Sequence, residues 1–251
     1  MSTSLEMILS AAHDHARDVI TPNVNAWNAA MVWPRAASDK AGEIGLMGLY
    51  APREWGGQGL PLAEGVQVYE QLGLGDGAYA FAVSMHNICT FAGCGYGTDA
   101  FKQRWARDLT SGRKLANFAL TEPQSGSDPM KMYTTATIND DGTWTISGAK
   151  AWVSLATEAD VYFTTVKTSD TPGHKDMAMI AIPADAPGIS FGPAYDTPSY
   201  TFPPMAEMYL GHVVVSADKV ILLIGQGFQG SLMAIPCLHC RRVLRFDAGG
   251  P

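Results

Sequence analysis

The spacing of the apolar residues changes near residue 115, and this change constrains the fold more than any other feature of the chain. From Leu5 to Ile20 the apolar positions recur every three to four residues, which predicts an amphipathic helix that Thr21 and Pro22 terminate. The same repeat predicts further helices at about residues 36–48, 62–72, 78–92 and 99–111. The first part of the chain is therefore expected to be helical.

Short β-rich runs replace the helical repeat after residue 115. They read TTATIND, TWTISGAKAWV, DVYFTTVKT, MAMIAIP and MYLGHVVV. Asp141 and Gly142 separate the first two runs, and this dipeptide is typical of a hairpin turn. Strands of this length without helices between them favour an antiparallel barrel or sandwich.

The chain is thus predicted to be an α+β protein with three parts. Residues 1–115 form an N-terminal helical domain, and residues 116–224 form a middle antiparallel β-barrel or sandwich domain. Residues 225–251 become helical again and are interpreted as the truncated start of a C-terminal helical domain.

Composition narrows the class of protein. Of the 251 residues 47% are apolar and 16% are charged, which is typical of a globular chain. A net charge of −7 argues against a nucleic-acid partner, because phosphate-binding surfaces need clustered Lys and Arg. No apolar stretch reaches the ~18 residues of a membrane span. Four cysteines and the lack of a secretory or transit leader favour a reducing, cytoplasmic location.

Two short motifs have simpler interpretations than their usual functions. The glycines from Gly225 to Gly230 match the GxGxxG of dinucleotide sites, but that site needs a βαβ unit, and the preceding runs show no alternation of strand and helix. We interpret them as a turn into a helix. Cys237 and Cys240 form a CxxC without further ligands at metal-site spacing, so we interpret them as core residues.

The histidines and the sequence signatures predict no metal site. His13 and His15 lie two positions apart, so they point in different directions on a helix. The other four histidines have no partner at chelating spacing, and no GxSxG or HExxH occurs. All six are interpreted as surface or core histidines.

The segment FALTEPQSGSD, residues 118–128, is the strongest candidate for a binding site. It carries short hydroxyls and the open backbone of Gly126, and it lies where the two predicted domains meet, which is a common place for a cofactor cleft. The following strand pair carries Trp152 and Ser154, a flat apolar wall beside a hydroxyl. A capped loop and a core tryptophan explain the same residues without a ligand.

Several motifs, in order, resemble one family. TSGRKLANFALTEPQSGSD and ISGAKAWVS are similar to the two signatures of the acyl-CoA dehydrogenases. APREWGGQGLP resembles the family's glycine-rich loop, YLGHVVVSADKVI its last β-domain strand, and GQGFQGSLMAI the beginning of its C-terminal helices. The resemblance covers about residues 38–243.

The resemblance implies an FAD enzyme that oxidises an acyl-CoA thioester. A glutamate removes the α-proton, the hydride of the β-carbon goes to the flavin, and an electron-transfer flavoprotein takes the electrons. It also implies that the full-length protein is a homo-oligomer. The residues that the resemblance assigns to the cofactor are Phe118, Leu120, Thr121, Ser127, Trp152, Val153 and Ser154.

Each of these residues has an implied role. Thr121 would bond the pyrimidine edge of the flavin, with Phe118 and Leu120 lining the ring. Trp152 and its neighbour Val153 would lie at one face of the flavin, with Ser154 donating to N5. Ser127 would serve the cofactor phosphates or the pantetheine arm of the substrate.

The resemblance departs from the family at the C-terminal end. Where a minority of the family carries the catalytic glutamate, this sequence has Arg241, which stays protonated and is no base. No catalytic residue is therefore assigned, and this chain alone is expected to be inactive. Two alternatives remain open: a non-catalytic remnant or interaction protein on the same scaffold, and a flavin oxidase or monooxygenase relative.

Overall fold

A computed structural model describes residues 3–169, 175–198 and 202–228. Six α-helices come first in this part of the chain, and eight β-strands follow them. The helices are α1 (Thr3–His15), α2 (Val24–Ala30), α3 (Arg35–Glu43), α4 (Leu62–Gly73), α5 (Gly77–Tyr96) and α6 (Asp99–Thr110). The predicted order of a helical region followed by a β region is confirmed.

The ends of the helices follow local chemistry. A π-helical turn, Ala16–Ile20, extends α1 until the Thr21 hydroxyl bonds to the carbonyl of Ala16. The Asp76 carboxylate accepts from the Tyr79 amide and caps α5, and the Thr98 hydroxyl accepts from the Phe101 amide and caps α6. Helix α2 was not predicted, because none of its residues is buried and its sequence lacks an apolar stripe.

Helix α3 is shorter than the predicted 36–48. It ends at Glu43, and Gly45 follows in a left-handed conformation with φ of +81°. The chain then turns back across α5, where Asn87 holds it: its side chain accepts from the Leu49 amide and donates to the Leu46 carbonyl. The apolar residues at 46–49 are therefore buried in a turn and not on a helix face.

The strands form one sheet. They are β1 (Ala116–Ala119), β2 (Thr135–Ile138), β3 (Trp144–Ser154), β4 (Val161–Lys167), β5 (Met177–Pro183), β6 (Ile189–Phe191), β7 (Met205–Val215) and β8 (Val220–Leu222). Their order is β6-β7-β3-β2-β4-β5-β8, with β1 beside β4. The Asp141-Gly142 hairpin between β2 and β3 is present, and Gly142 adopts φ of +81°.

The sheet departs from an antiparallel barrel in two ways. Its path through the described strands is open, and β6 and β8 lie at opposite ends. In addition, β1 pairs with β4 in parallel, and β2 makes one parallel pair with the end of β4 at Thr135 and Lys167. β1 follows α6 directly and is not joined to β4 by a hairpin, so the two strands need not be antiparallel. The sheet is mixed.

The glycine-rich segment at 225–230 follows an antiparallel strand. β8 pairs antiparallel with β5, so the strand before Gly225 is not part of a βαβ unit. A Cβ at Gly227 would lie 2.6 Å from the backbone of Ala178, so the glycine allows close packing on β5. Gly230, Cys237, Cys240 and Arg241, and most of the predicted segment 225–251, lie outside the described residues.

Helices and strands share one hydrophobic core. A single cluster of buried side chains runs from Leu5 of α1 through Tyr79 of α5 to Ile146 of β3 and Val213 of β7. At the junction the Asp160 carboxylate accepts from the Leu115 amide at 2.7 Å and from the Arg35 guanidinium at 2.9 Å. The two regions are therefore packed on each other at the start of β1, the strand that leads into the candidate site.

Candidate functional site

The FALTEP loop, residues 118–123, leaves β1 and crosses beside β3. The Ala151 amide of β3 donates to the Thr121 carbonyl at 2.8 Å. A tight turn follows, in which Glu122 and Ser125 exchange two backbone hydrogen bonds. These bonds place Leu120 and Thr121 directly beside the part of β3 that carries Trp152.

Trp152 stands on a β-bulge. The register between β3 and β7 shifts between Lys150 and Val153, and Trp152 adopts φ of +57°. In a regular strand residues 150 and 152 would share a face, but here Lys150 is fully buried while Trp152 is 57% exposed. The bulge thus turns the indole out of the sheet, which is a known use of such irregularities.

The exposed indole has an aromatic neighbour. Its ring lies over Tyr195, with 4.3 Å between the ring centroids and 38° between the planes. Burial raises the pKa of the Tyr195 phenol above its ordinary value, although a backbone hydrogen bond from Trp152 acts in the opposite direction. The two rings thus form a tilted aromatic pair beside the bulge.

The predicted site residues do not all lie together. Phe118, Leu120 and Thr121 are half-buried, whereas Val153 and Ser154 are buried. Ser127 is exposed, several residues farther along the loop. The structure thus brings residues 118–121 and 152–154 together through the contact of β1 with β3, and leaves Ser127 on the outer part of the loop.

Asn117 of β1 fixes the far end of the bulged segment. Its buried side-chain amide donates to the Ser154 carbonyl at 2.5 Å. The Oδ1 atom of Asn117 is buried and has no partner among the described residues. A buried acceptor without a donor costs free energy, so a ligand or a water molecule that donates a hydrogen bond to this oxygen would remove that cost.

An ion pair that the sequence analysis missed lies beneath the loop. The Lys150 ammonium is 2.9 Å from Glu122 Oε1, and both side chains are at most 1% exposed. The sequence signal was present, because a lysine inside the apolar strand WTISGAKAWVS needs an anionic or carbonyl partner. The partner is the only acidic residue in FALTEPQS.

The charges of this pair respond to burial and to each other. Burial acts to raise the pKa of Glu122, but the Lys150 charge, the Thr134 side chain and the Tyr133 amide outweigh it, so the pKa lies below its ordinary value. Burial lowers the pKa of Lys150, and Glu122 opposes that shift. Glu122 is therefore a carboxylate at neutral pH.

The loop and the bulge fit a large, flat, polar ligand. A Cβ on Gly126 would contact no heavy atom within 4 Å, so the backbone there is open to a ligand. The Thr121 carbonyl is engaged by Ala151, and the hydroxyls of Thr121 and Ser154 are neutral polar groups on the two segments that this bond joins. Neutral donors and acceptors around an aromatic plane suit a heterocyclic ring system such as a flavin.

Other titratable groups of the described residues have structural surroundings. His86 is fully buried, and burial lowers its pKa to about 4. Burial raises the pKa of the Cys94 thiol to about 12 and that of the Cys89 thiol well above its ordinary value, so neither is a nucleophile. Within the described residues no group of three His, Cys, Asp or Glu is placed to hold a metal ion, and no helix is long and apolar enough to cross a membrane.

Comparison with known proteins decides the family. Residues 2–113 match the family model of the acyl-CoA dehydrogenase N-terminal domain, and residues 117–213 match that of the acyl-CoA dehydrogenase middle domain. The chain belongs to the acyl-CoA dehydrogenase family. The FALTEP loop lies near the start of the second matched segment.

Individual relatives agree with this assignment. The mitochondrial isobutyryl-CoA dehydrogenase of Dictyostelium discoideum is 30% identical over 226 residues, 90% of this chain and 54% of that protein. Butyryl-CoA dehydrogenase from Megasphaera elsdenii has a TM-score of 0.88 at 26% identity, covering 94% of this chain and 63% of that one. The FAD complex of PigA shares the fold, with a TM-score of 0.87 at 23% identity over 94% of this chain and 62% of that one. The chain thus spans little more than half the length of the proteins it matches.

Proposed function

We propose that this chain forms the first two domains of an FAD-dependent acyl-CoA dehydrogenase. The reaction would remove hydrogen from Cα and Cβ of an acyl-CoA thioester and pass the electrons to an electron-transfer flavoprotein. The observation that carries the proposal is the hydrogen bond from the Ala151 amide to the Thr121 carbonyl, which joins the loop to the strand that carries the outward-turned ring of Trp152. Two family signatures that are distant in sequence meet there.

The residues that would hold the flavin are those of this junction. The Thr121 hydroxyl and amide would bind the pyrimidine edge, with Phe118 and Leu120 packing along the ring system. Trp152 would cover one face, Val153 would support it from the core, and the Ser154 hydroxyl would donate to the ring. Ser127, exposed on the outer loop, would bind a phosphate of the cofactor or the pantetheine arm of the substrate.

When bound, FAD would supply the acceptor for the hydride that leaves the substrate. The chain's own residues would orient and shield the ring. With FAD bound, Trp152 and Tyr195 would form an aromatic wall that shields one side of the flavin from water, and Val153 would support that wall from the core.

The reaction also needs a general base, and the acidic residue of the loop does not fit that role. Both carboxylate oxygens of Glu122 are occupied: Oε1 accepts from Lys150 and Thr134, and Oε2 accepts from Tyr133 and Gln124. A base needs a free lone pair directed at the substrate. We therefore propose that the base comes from a part of the full enzyme other than this loop.

FAD titration tests the proposal. The purified chain is expected to bind FAD, with quenching of tryptophan fluorescence as the readout. Because Trp152 would stack on the ring, Trp152→Ala is expected to weaken FAD binding about tenfold, in line with an aromatic contact of ~1.5 kcal/mol. Val214→Ala is the matched control, since Val214 is an exposed apolar residue on β7 that pairs with Thr145, at the opposite end of β3 from Trp152.

The contrary results are distinct. A chain that binds no FAD supports a non-catalytic remnant or interaction protein. Equal loss of affinity in Trp152→Ala and Val214→Ala would place the flavin elsewhere. In the full-length enzyme, rapid reoxidation of the reduced flavin by oxygen would support an oxidase or monooxygenase, whereas slow reoxidation supports a dehydrogenase.

We propose a domain boundary at residues 115/116, because α6 ends at Thr110 and β1 begins at Ala116. We propose that the full-length enzyme is a homo-oligomer. We also propose a cytoplasmic location, which suits the two buried thiols, Cys89 and Cys94.

A further inference from the structure

The ion pair of Glu122 and Lys150 joins four strands at one point. The Lys150 ammonium donates to the Leu120 carbonyl at 3.2 Å, to Glu122 Oε1 at 2.9 Å and to the Thr165 carbonyl at 2.8 Å. Leu120 follows β1, Lys150 belongs to β3 and Thr165 belongs to β4. Glu122 in turn accepts from the amides of Tyr133 and Thr134 at 2.5 and 3.0 Å, immediately before β2.

Every hydrogen-bonding group of this pair is in use. An ammonium has three protons, and the three acceptors around Lys150 take all of them. The carboxylate of Glu122 accepts four bonds, two at each oxygen. No proton or lone pair is left for a substrate, so neither residue acts directly in chemistry.

Stability alone is a weak reason for such a pair. Removing two charges from water costs several kcal/mol per ion, and well-packed apolar residues of similar size often serve as well or better. An ion pair does, however, fix distances and directions that an apolar contact does not. The groups that it fixes are the carbonyl before Thr121 and the amides that begin β2.

We propose that Lys150 and Glu122 are positioning residues that set the backbone of the FALTEP loop for the cofactor. Lys150 lies on β3 two residues before Trp152, so one side chain ties the loop to the strand that carries the aromatic wall. The bond from Ala151 to Thr121 then forms at a fixed distance, and Thr121 stays beside the strand that carries Trp152. The inference rests on the proposed function for its ligand, but the ordering of the loop is independent of it.

The test separates positioning from stability with a neutral double variant. In Glu122→Gln/Lys150→Met no buried charge lacks a partner, and the glutamine oxygen still accepts from one of the two amides before β2. We expect the variant to stay folded, with a urea midpoint moderately below that of the wild type, because buried hydrogen bonds are lost but no charge is left unpaired. We also expect hydrogen exchange of the Ala151 amide to become at least tenfold faster and FAD affinity to fall at least tenfold, because Leu120 and Thr165 lose their shared donor.

A matched control uses the same type of substitution in the segment between the FALTEP loop and β2. Lys131 is exposed, 3.6 Å from Asp128, so Lys131→Met removes a lysine without touching the buried pair. It is expected to leave the urea midpoint, the exchange rate and FAD affinity unchanged. Glu122→Asp provides a second variant that keeps both charges and shortens the carboxylate by one methylene. We expect faster exchange at Ala151 and a severalfold loss of FAD affinity.

Several results would overturn the inference. One is a double variant that unfolds at the same urea concentration, protects Ala151 and binds FAD like the wild type. Another is a double variant that fails to fold, together with a Glu122→Asp variant whose Ala151 exchange rate and FAD affinity equal those of the wild type. In the wild type, an Ala151 amide that exchanges as fast as the exposed Asp141 turn would show an unfixed loop. If the wild type binds no FAD, the proposed function fails, and the exchange rates still decide the positioning.

Discussion

Trp152 combines a bulky side chain with a left-handed backbone, and a residue with a Cβ pays about 1 kcal/mol for that conformation. Glycine does not. We therefore expect Trp152→Gly to be more stable than Trp152→Ala by about 1 kcal/mol, the reverse of the usual order of these residues in a strand. Both variants lose the indole and its contact with Tyr195, so the comparison isolates the backbone. Urea unfolding of the two variants measures the difference.

A matched pair elsewhere on β3 tests the explanation. Ser147 lies on the same strand at a position without a left-handed conformation, so Ser147→Ala should be more stable than Ser147→Gly. Trp152→Ala that equals or exceeds Trp152→Gly in stability would show that the bulge relaxes when the ring is absent. The strain would then belong to the ring and not to the fold.

At the level of residues, the sequence indicated the candidate binding residues but not the ion pair that lies beneath them. Loop hydroxyls and the strand tryptophan were recognisable from composition and from the family signatures, and the structure places residues 118–121 beside 152–154. Their roles toward FAD remain predictions. The Glu122–Lys150 pair was missed, because pairing across 28 positions depends on the register of β1, β3 and β4, which no local pattern reports.

Among the elements, the contact of α5 with α6 and β1 depends on one neutral histidine. His86 donates through Nε2 to the Leu109 carbonyl at 2.9 Å and accepts through Nδ1 from the Ala116 amide at 3.0 Å. Protonation would place a second N–H against the Ala116 amide. In addition, burial disfavours the charged imidazolium. Burial lowers the pKa of His86 to about 4 in the folded protein, from 6.5 for the unfolded chain.

This shift predicts acid sensitivity. Between pH 6.5 and about 4 the unfolded chain binds the proton and the folded protein does not, so acidification favours unfolding. The neutral His86 contributes its full stabilisation above pH 6.5 and loses it as pH falls toward 4, on the order of 3 kcal/mol in total. Urea midpoints at pH 7.5 and 5.0 measure the effect.

The variant His86→Gln is expected to show a smaller drop between the two pH values, because the titrating group is gone. His13→Gln serves as the control, since His13 lies exposed on α1 and should leave the drop unchanged. His15, whose pKa burial also lowers to about 4, contributes with the same sign in all three proteins. An identical drop in His86→Gln and the wild type would contradict the assignment.

The elements themselves were largely predictable where periodicity was strong. Helices α4, α5 and α6 begin and end within a few residues of the predicted ranges, because apolar stripes and the caps Asp76 and Thr98 mark them. Sheet topology was less accessible. The parallel pairing of β1 with β4 depends on how α6 delivers the chain to the sheet, and runs of apolar residues do not encode strand direction.

For the whole molecule, the shared core predicts cooperative unfolding. The main cluster of buried side chains includes residues of both regions, and Asp160 joins Leu115 and Arg35 across their junction. We expect one transition in urea, with the same midpoint by helix circular dichroism and by tryptophan fluorescence. Two resolved midpoints would show that the helical and β regions are independent, and Asp160→Ala should then leave one of them unaffected.

The sheet order also has a consequence in time. β3 lies between β2 and β7, and β7 follows it only after about 50 residues. During synthesis at ~5–20 residues per second, one edge of β3 waits several seconds on the ribosome before its partner exists. Its open backbone groups are available to other nascent chains in that interval. A pause in translation between β3 and β7 would lengthen it, so synonymous codon choice in this stretch should affect the yield of folded protein more than the same change before α1.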